Sequence, residues 1–114
     1  MPFIGAKVNI EITKEKETII KTKLGQAIEL LPGKTEQWLM LSFEDNCSMY
    51  FKGSNEPLMA FIEVKLFGSQ SKEAYIKLTK AITDIFYEEL NINPSNLYVK
   101  YEEIDNWGWN GNNF

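Results

Sequence analysis

Pro2 and Lys34 are the first residues whose types and placement could do chemistry. Small penultimate residues usually permit removal of the initiator methionine. A chain that then begins at proline carries a secondary amine, which can take up and release a proton. Composition alone favours a plainer reading, in which Pro2 starts an edge strand. Lys34 follows Pro32-Gly33 just past an expected helix end. A lysine there commonly complements the helix dipole, and in a loop beside a sheet end it can also clamp an anion. Trp107-Gly108-Trp109 with Phe114 makes an aromatic tail. Such a tail either docks on its own or a neighbouring chain, or walls off an apolar substrate site. Glu88-Glu89 and Glu102-Glu103 would suit a two-carboxylate hydrolase if one cleft gathered them. Adjacent glutamates more often form a solvated face.

Other chemistries are excluded by composition. The 114 residues contain no histidine, and all 12 cationic side chains are lysine. Histidine triads, histidine metal sites and arginine fingers are therefore ruled out. No metal-ligand spacing or glycine fingerprint is present, and Gly53-Ser54-Asn55 lacks the lysine of a phosphate cradle. The sequence thus implies no cofactor and no metal. A net charge of −4 argues against nucleic acid as a partner. The single Cys47 allows no intramolecular disulfide, which fits a reducing, cytoplasmic setting. Neither a signal peptide nor a bilayer-length apolar run is visible, so no membrane partner is expected.

These residues must be positioned by regular elements. Phe3 to Ile12 reads as a strand with Val8, Ile10 and Ile12 at period two. Thr13 can cap a helix whose apolar stripe is Ile20, Leu24, Ala27, Ile28 and Leu31, and Pro32 ends it. Gly25 is a weak point in that stripe. Trp38 to Phe43 is predicted as a second strand and Ser48 to Lys52 as a short one. Leu58 to Phe67 reads as a largely buried strand. A second helix follows a possible cap in Gly68-Ser69-Gln70-Ser71, with Tyr75, Leu78, Ala81, Ile82, Ile85 and Phe86 on one face. Leu97 to Tyr101 is the last predicted strand. The result is an α+β domain spanning 1–114: two β-α-β units, each a parallel crossover, forming a four-stranded sheet with both helices on one face. Leu58 to Ile62 is apolar at both parities, so the other sheet face expects cover, most simply from further copies of the chain.

Several short motifs, in order, complete the reading. They are Met1-Pro2-Phe3-Ile4, Pro32-Gly33-Lys34, Gly53-Ser54-Asn55-Glu56-Pro57, Tyr98-Val99, and Trp107-Gly108-Trp109-Asn110 with Phe114. The chain resembles, end to end, the macrophage migration inhibitory factor family of the tautomerase superfamily. The resemblance implies a homotrimer whose sheets enclose a channel. It implies catalysis by the amino-terminal proline, here Pro2, on the enol and keto forms of aromatic α-keto acids such as phenylpyruvate. Lys34 would hold the carboxylate and steady the enolate. A backbone amide used by the family falls in register at Leu66, just after Lys65, where mammalian members carry a small polar residue. Tyr98 would come from a neighbouring subunit, while Trp38, Trp107, Trp109 and Phe114 would line the pocket.

There are departures from the family pattern. Lys100 stands where the family usually has asparagine, which would add a second lysine near the pocket. The CxxC pair of the cytokine is replaced by Leu58 and Phe61, so no thiol chemistry carries over. Two other roles stay open. The chain could be a signalling or host-interaction protein with vestigial catalysis, and export without a signal peptide is compatible with this because mammalian relatives leave cells that way. It could also process another small unsaturated acid, although sites of that kind typically use arginine.

Overall fold

A computed structural model describes residues 1–114. β1 (Pro2–Val8) leads to α1 (Lys14–Ala27), β2 (Met40–Glu44), β3 (Ala60–Phe67), α2 (Lys72–Leu90) and β4 (Leu97–Ile104), and β5 (Gly108–Trp109) and β6 (Asn112–Asn113) form a tail hairpin. The main sheet runs β2-β1-β3-β4. β1 pairs parallel with β2 and β3 with β4, while the central β1–β3 pair is antiparallel. The two expected β-α-β units are therefore present and meet at the sheet centre.

The core lies on one face. Ile4, Ala6 and Val8 of β1 and Ile62, Val64 and Leu66 of β3 are buried with Ile20, Leu24 and Ile28 from the first helical segment. Leu78, Ile82, Ile85 and Phe86 of α2 complete the layer. Each fully buried aliphatic or aromatic side chain stabilises the fold by roughly 1.5–3 kcal/mol. Both helices therefore cover the same sheet face. The opposite face carries Phe3, Met40, Phe61, Glu63, Lys65, Tyr98 and Lys100, half-buried or exposed. The apolar character at both parities ends at Ile62, beyond which the open face of β3 turns polar. No helix is long and apolar enough to cross a membrane.

Local chemistry explains the boundaries. Thr13 accepts from the Lys16 N–H at 3.2 Å and starts α1. A 3-10 turn at Ile28–Leu30 follows α1, and Leu31 is extended ahead of Pro32. Ser71 accepts from the Ala74 N–H at 3.1 Å and starts α2. Asn91, with φ 57°, closes α2 in the left-handed conformation. Ser71→Ala is expected to lower stability by about 1 kcal/mol, and a urea titration with an unchanged midpoint would show that the cap contributes nothing.

Three expected strands differ. β1 stops at Val8 because Asn9 turns aside to bond Pro57 O (2.9 Å) and the Met59 N–H (2.8 Å). Trp38 lies in a 3-10 turn, Glu36–Trp38, and β2 begins only at Met40. Gly25 accounts for where that turn rests, since a Cβ there would meet the Glu36 side chain. Residues 48–52 form no strand. Lys52 and Gly53 both take positive φ, and a single bridge joins Phe51 to Ser54.

The acid pairs are structural. Glu89 binds Lys16 (3.1 Å) and Lys23 (2.6 Å), tying α2 to α1, and Glu88 also reaches Lys23 (3.1 Å). Glu102 pairs with Lys100 at 2.6 Å, and Glu103 accepts from Tyr75 Oη at 2.6 Å. Burial, then the Glu103 carboxylate, raises the Tyr75 phenol to about 12. No group of acids, cysteines or histidines is arranged to hold a metal.

Candidate active site

The amino terminus lies at one end of the sheet, in a cleft of about 620 Å³. Met1, Pro2 and Phe3 form its floor, with Gln37, Trp38, Leu39 and Met40 on one side, Lys65 on another, and Trp107, Gly108 and Trp109 over it. β1 and β3 hold the floor through the Pro2–Leu66 and Phe3–Lys65 register. The 3-10 turn presents Trp38, and its ring meets Trp109 edge-on at 5.1 Å. An Asn110-Gly111 turn, with φ 54° and 80°, folds the tail hairpin back. Phe114 sits behind it, stacked on Trp109 at 6.5 Å and against Phe67 at 5.5 Å.

Lys34 reaches this end from the loop after the first helical segment. Its Nζ donates to Phe67 O at 3.4 Å, close enough to the Met1 amine to act on it. Burial, then the hydrogen bond and charge of Lys34, lowers the Met1 amino group from 8.0 to about 6. An amine in this position is mostly uncharged at neutral pH, so its lone pair is available to accept a proton.

The expected site residues divide into two groups. Pro2, Lys34, Trp38, Lys65, Trp107 and Trp109 converge on the cleft or its terminus, with Phe114 as support. Tyr98 does not. It lies opposite Phe61 in the register, five residues along β3 from Leu66, or roughly 17 Å at strand rise. There its ring meets Phe51 at 5.2 Å and lines a separate hollow of about 280 Å³ with Met49 and Met59. Lys100 is also remote and is held by Glu63 (3.1 Å) and Glu102 (2.6 Å). These glutamates raise its affinity for its proton. Neither residue reaches the cleft of its own chain.

The Leu66 amide is corrected by one residue. The Leu66–Glu103 register, with Gly68 N–H donating to Ile104 O at 3.1 Å, turns the Leu66 N–H toward β4. Phe67 is the residue whose N–H faces the terminus, donating to Met1 O at 3.2 Å. Phe3 and Phe67 were missed as site residues because only the antiparallel β1–β3 pairing brings them together. That pairing leaves no mark in either segment alone.

Comparison with known proteins agrees with this architecture. The profile of macrophage migration inhibitory factor (MIF) matches residues 1–114. The chain belongs to the MIF family. The Xenopus laevis macrophage migration inhibitory factor is 24% identical, covering 100% of this chain and 99% of that protein. MIF2 of Leishmania major is 27% identical and superposes with a TM-score of 0.92, covering 100% and 97% of the two chains. A MIF homologue from Prochlorococcus marinus, 24% identical, shares the fold at a TM-score of 0.87, covering 98% of each chain. In this member of the family the chain start lies in an aromatic-walled cleft beside a lysine.

Proposed function

We propose that the chain is a cofactor-free tautomerase acting on phenylpyruvate-like α-keto acids once Met1 is removed. The observation that carries this reading is the depressed amine beside Lys34 in an aromatic cleft. The Pro2 nitrogen lies one residue further along β1 from the Met1 amine, so burial and Lys34 act on it in the same direction. In the keto-to-enol direction, the neutral prolyl nitrogen takes a proton from the carbon beside the ketone. The electron pair moves onto the carbonyl oxygen, which is protonated as the prolyl ammonium releases its proton. No atom is gained or lost. Lys34 holds the carboxylate and favours the developing enolate. Loss of Met1 frees the Phe67 N–H, a second donor beside that anion. Trp38, Trp107 and Trp109 seat the ring and exclude water.

The open sheet face and the distance of Tyr98 from its own cleft support a homotrimer in which Tyr98, and with it Lys100, serve a neighbour's site. Sedimentation as a monomer would contradict that arrangement. The central test is enol–keto conversion of phenylpyruvate by chain whose mass shows Pro2 at the terminus. Conversion well above the buffer rate is expected. Absence of conversion for any α-keto acid would favour the interaction-protein reading.

A further inference from the structure

Within one chain, Lys65 is the only charged side chain lining the cleft. It makes no ion pair. Across the sheet Glu102 binds Lys100 at 2.6 Å, and the charge of Lys65 reaches it only from beyond ion-pair distance. The Lys65 ammonium lies over the face of Phe3, 5.9 Å from the ring centroid. Met40, Phe3 and Lys65 form one cross-strand row on the open face. Lys65 therefore meets the cleft from the open face, whereas Lys34 arrives from the helix layer and ends at the Phe67 carbonyl. Along β3, Lys65 and Phe67 are about 7 Å apart, and they flank the terminus from two sides. Trp38 and Trp109 wall the space beside them.

A half-buried ammonium with no ion pair in its own chain, set in an aromatic-walled cleft, can take an anion from the ligand. One carboxylate is already assigned to Lys34, which leaves Lys65 for a second. From this juxtaposition we infer that the cleft selects α-keto acids bearing a second carboxylate beyond a flat apolar middle, with Lys34 on the keto-acid end and Lys65 on the distal one. A lone lysine without a nest of backbone N–H groups suits a carboxylate better than a phosphate. This inference rests on the Pro2 cleft being the ligand site.

Binding tests it without turnover, because Trp107 and Trp109 line the cleft and report occupancy by fluorescence. The probes are 3-phenylpropanoate and its para-carboxylate analogue, titrated into processed protein. The diacid is expected to bind at least about tenfold more tightly, with a preference that shrinks as salt rises. Lys65→Met and Lys65→Gln should each bring the two affinities within about twofold of one another. Lys77→Met, an exposed change on α2, should leave the preference intact. Equal affinities in the unmodified protein, or a preference that survives both Lys65 substitutions, would overturn the inference. Diacid preference without conversion of any keto acid would uphold it and sink the tautomerase reading. Conversion of phenylpyruvate with no diacid preference would do the reverse.

Discussion

Phenylpyruvate turnover is expected to fall at least about 100-fold when Met1 is kept in place by a short uncleavable amino-terminal extension, since a positioned general base contributes roughly 10²–10⁴. Three effects act together. An acylated prolyl nitrogen is an amide and has no basic lone pair. Met1 itself lines the cleft, so its retention fills space meant for substrate. The Phe67 N–H also stays bonded to Met1 O. Pro2→Gly separates the first effect from the others. It restores a free amine and an open cleft, but the amine is primary and its backbone is no longer fixed by the ring. Its activity should lie between those of the processed and blocked chains. Intact mass must accompany each assay. Full activity in the blocked chain would remove Pro2 from the mechanism.

The same base gives the pH profile its direction. The working form is the neutral amine. Burial and Lys34 lower the Met1 amine from 8.0 to about 6, and the same surroundings act on the prolyl nitrogen in the same direction. Activity should therefore be low in acid and rise to its plateau at a pH below that at which an ordinary terminal amine titrates. A rise centred near 8 would show that the prolyl nitrogen escapes both burial and Lys34.

Much of this architecture can be read in the residues, and the exceptions have identifiable causes. The two helices and the four principal strands follow from period and punctuation, because burial on one face leaves a repeating mark. Ile20, Leu24 and Ile28 record it in the first helical segment, and Ile62, Val64 and Leu66 in β3. Trp38 carries no such mark, since its turn is set by backbone bonds from the Trp38 N–H to Thr35 O and from the Leu39 N–H to Glu36 O. β1 ends early for a tertiary reason, the grip of Asn9 on Pro57 and Met59. The site divides in the same way. Pro2 and Lys34 are recognisable by type and by the motifs around them. The exchange of Leu66 for Phe67 as the facing amide follows from strand register, which alternates at every residue and so turns on a single position. Lys100 is legible by type, but its pairing with Glu63 and Glu102 across and along the sheet leaves no mark in the sequence.

Lys34→Ala should lower kcat/KM for phenylpyruvate by about ten- to a hundredfold, the range expected on losing one donor to a developing anion in a partly dry site. The substitution has two separable consequences. It removes the partner of the substrate carboxylate, so an uncharged ester of phenylpyruvate should lose much less than the acid does. It also removes two of the three causes that depress the terminal amine, the Lys34 hydrogen bond and its charge. Burial is the largest cause and remains. The acid limb of the pH profile should therefore move alkaline, but only part of the way to an unperturbed amine, because burial remains. At pH 7 a larger fraction of the amine is then protonated and idle, so the measured loss should be greater at pH 6 than at pH 8. Equal losses for the acid and its ester would mean that Lys34 does not hold the carboxylate. An unmoved pH limb would mean that it does not tune the base. Because the two readouts are independent, either role can be lost without the other.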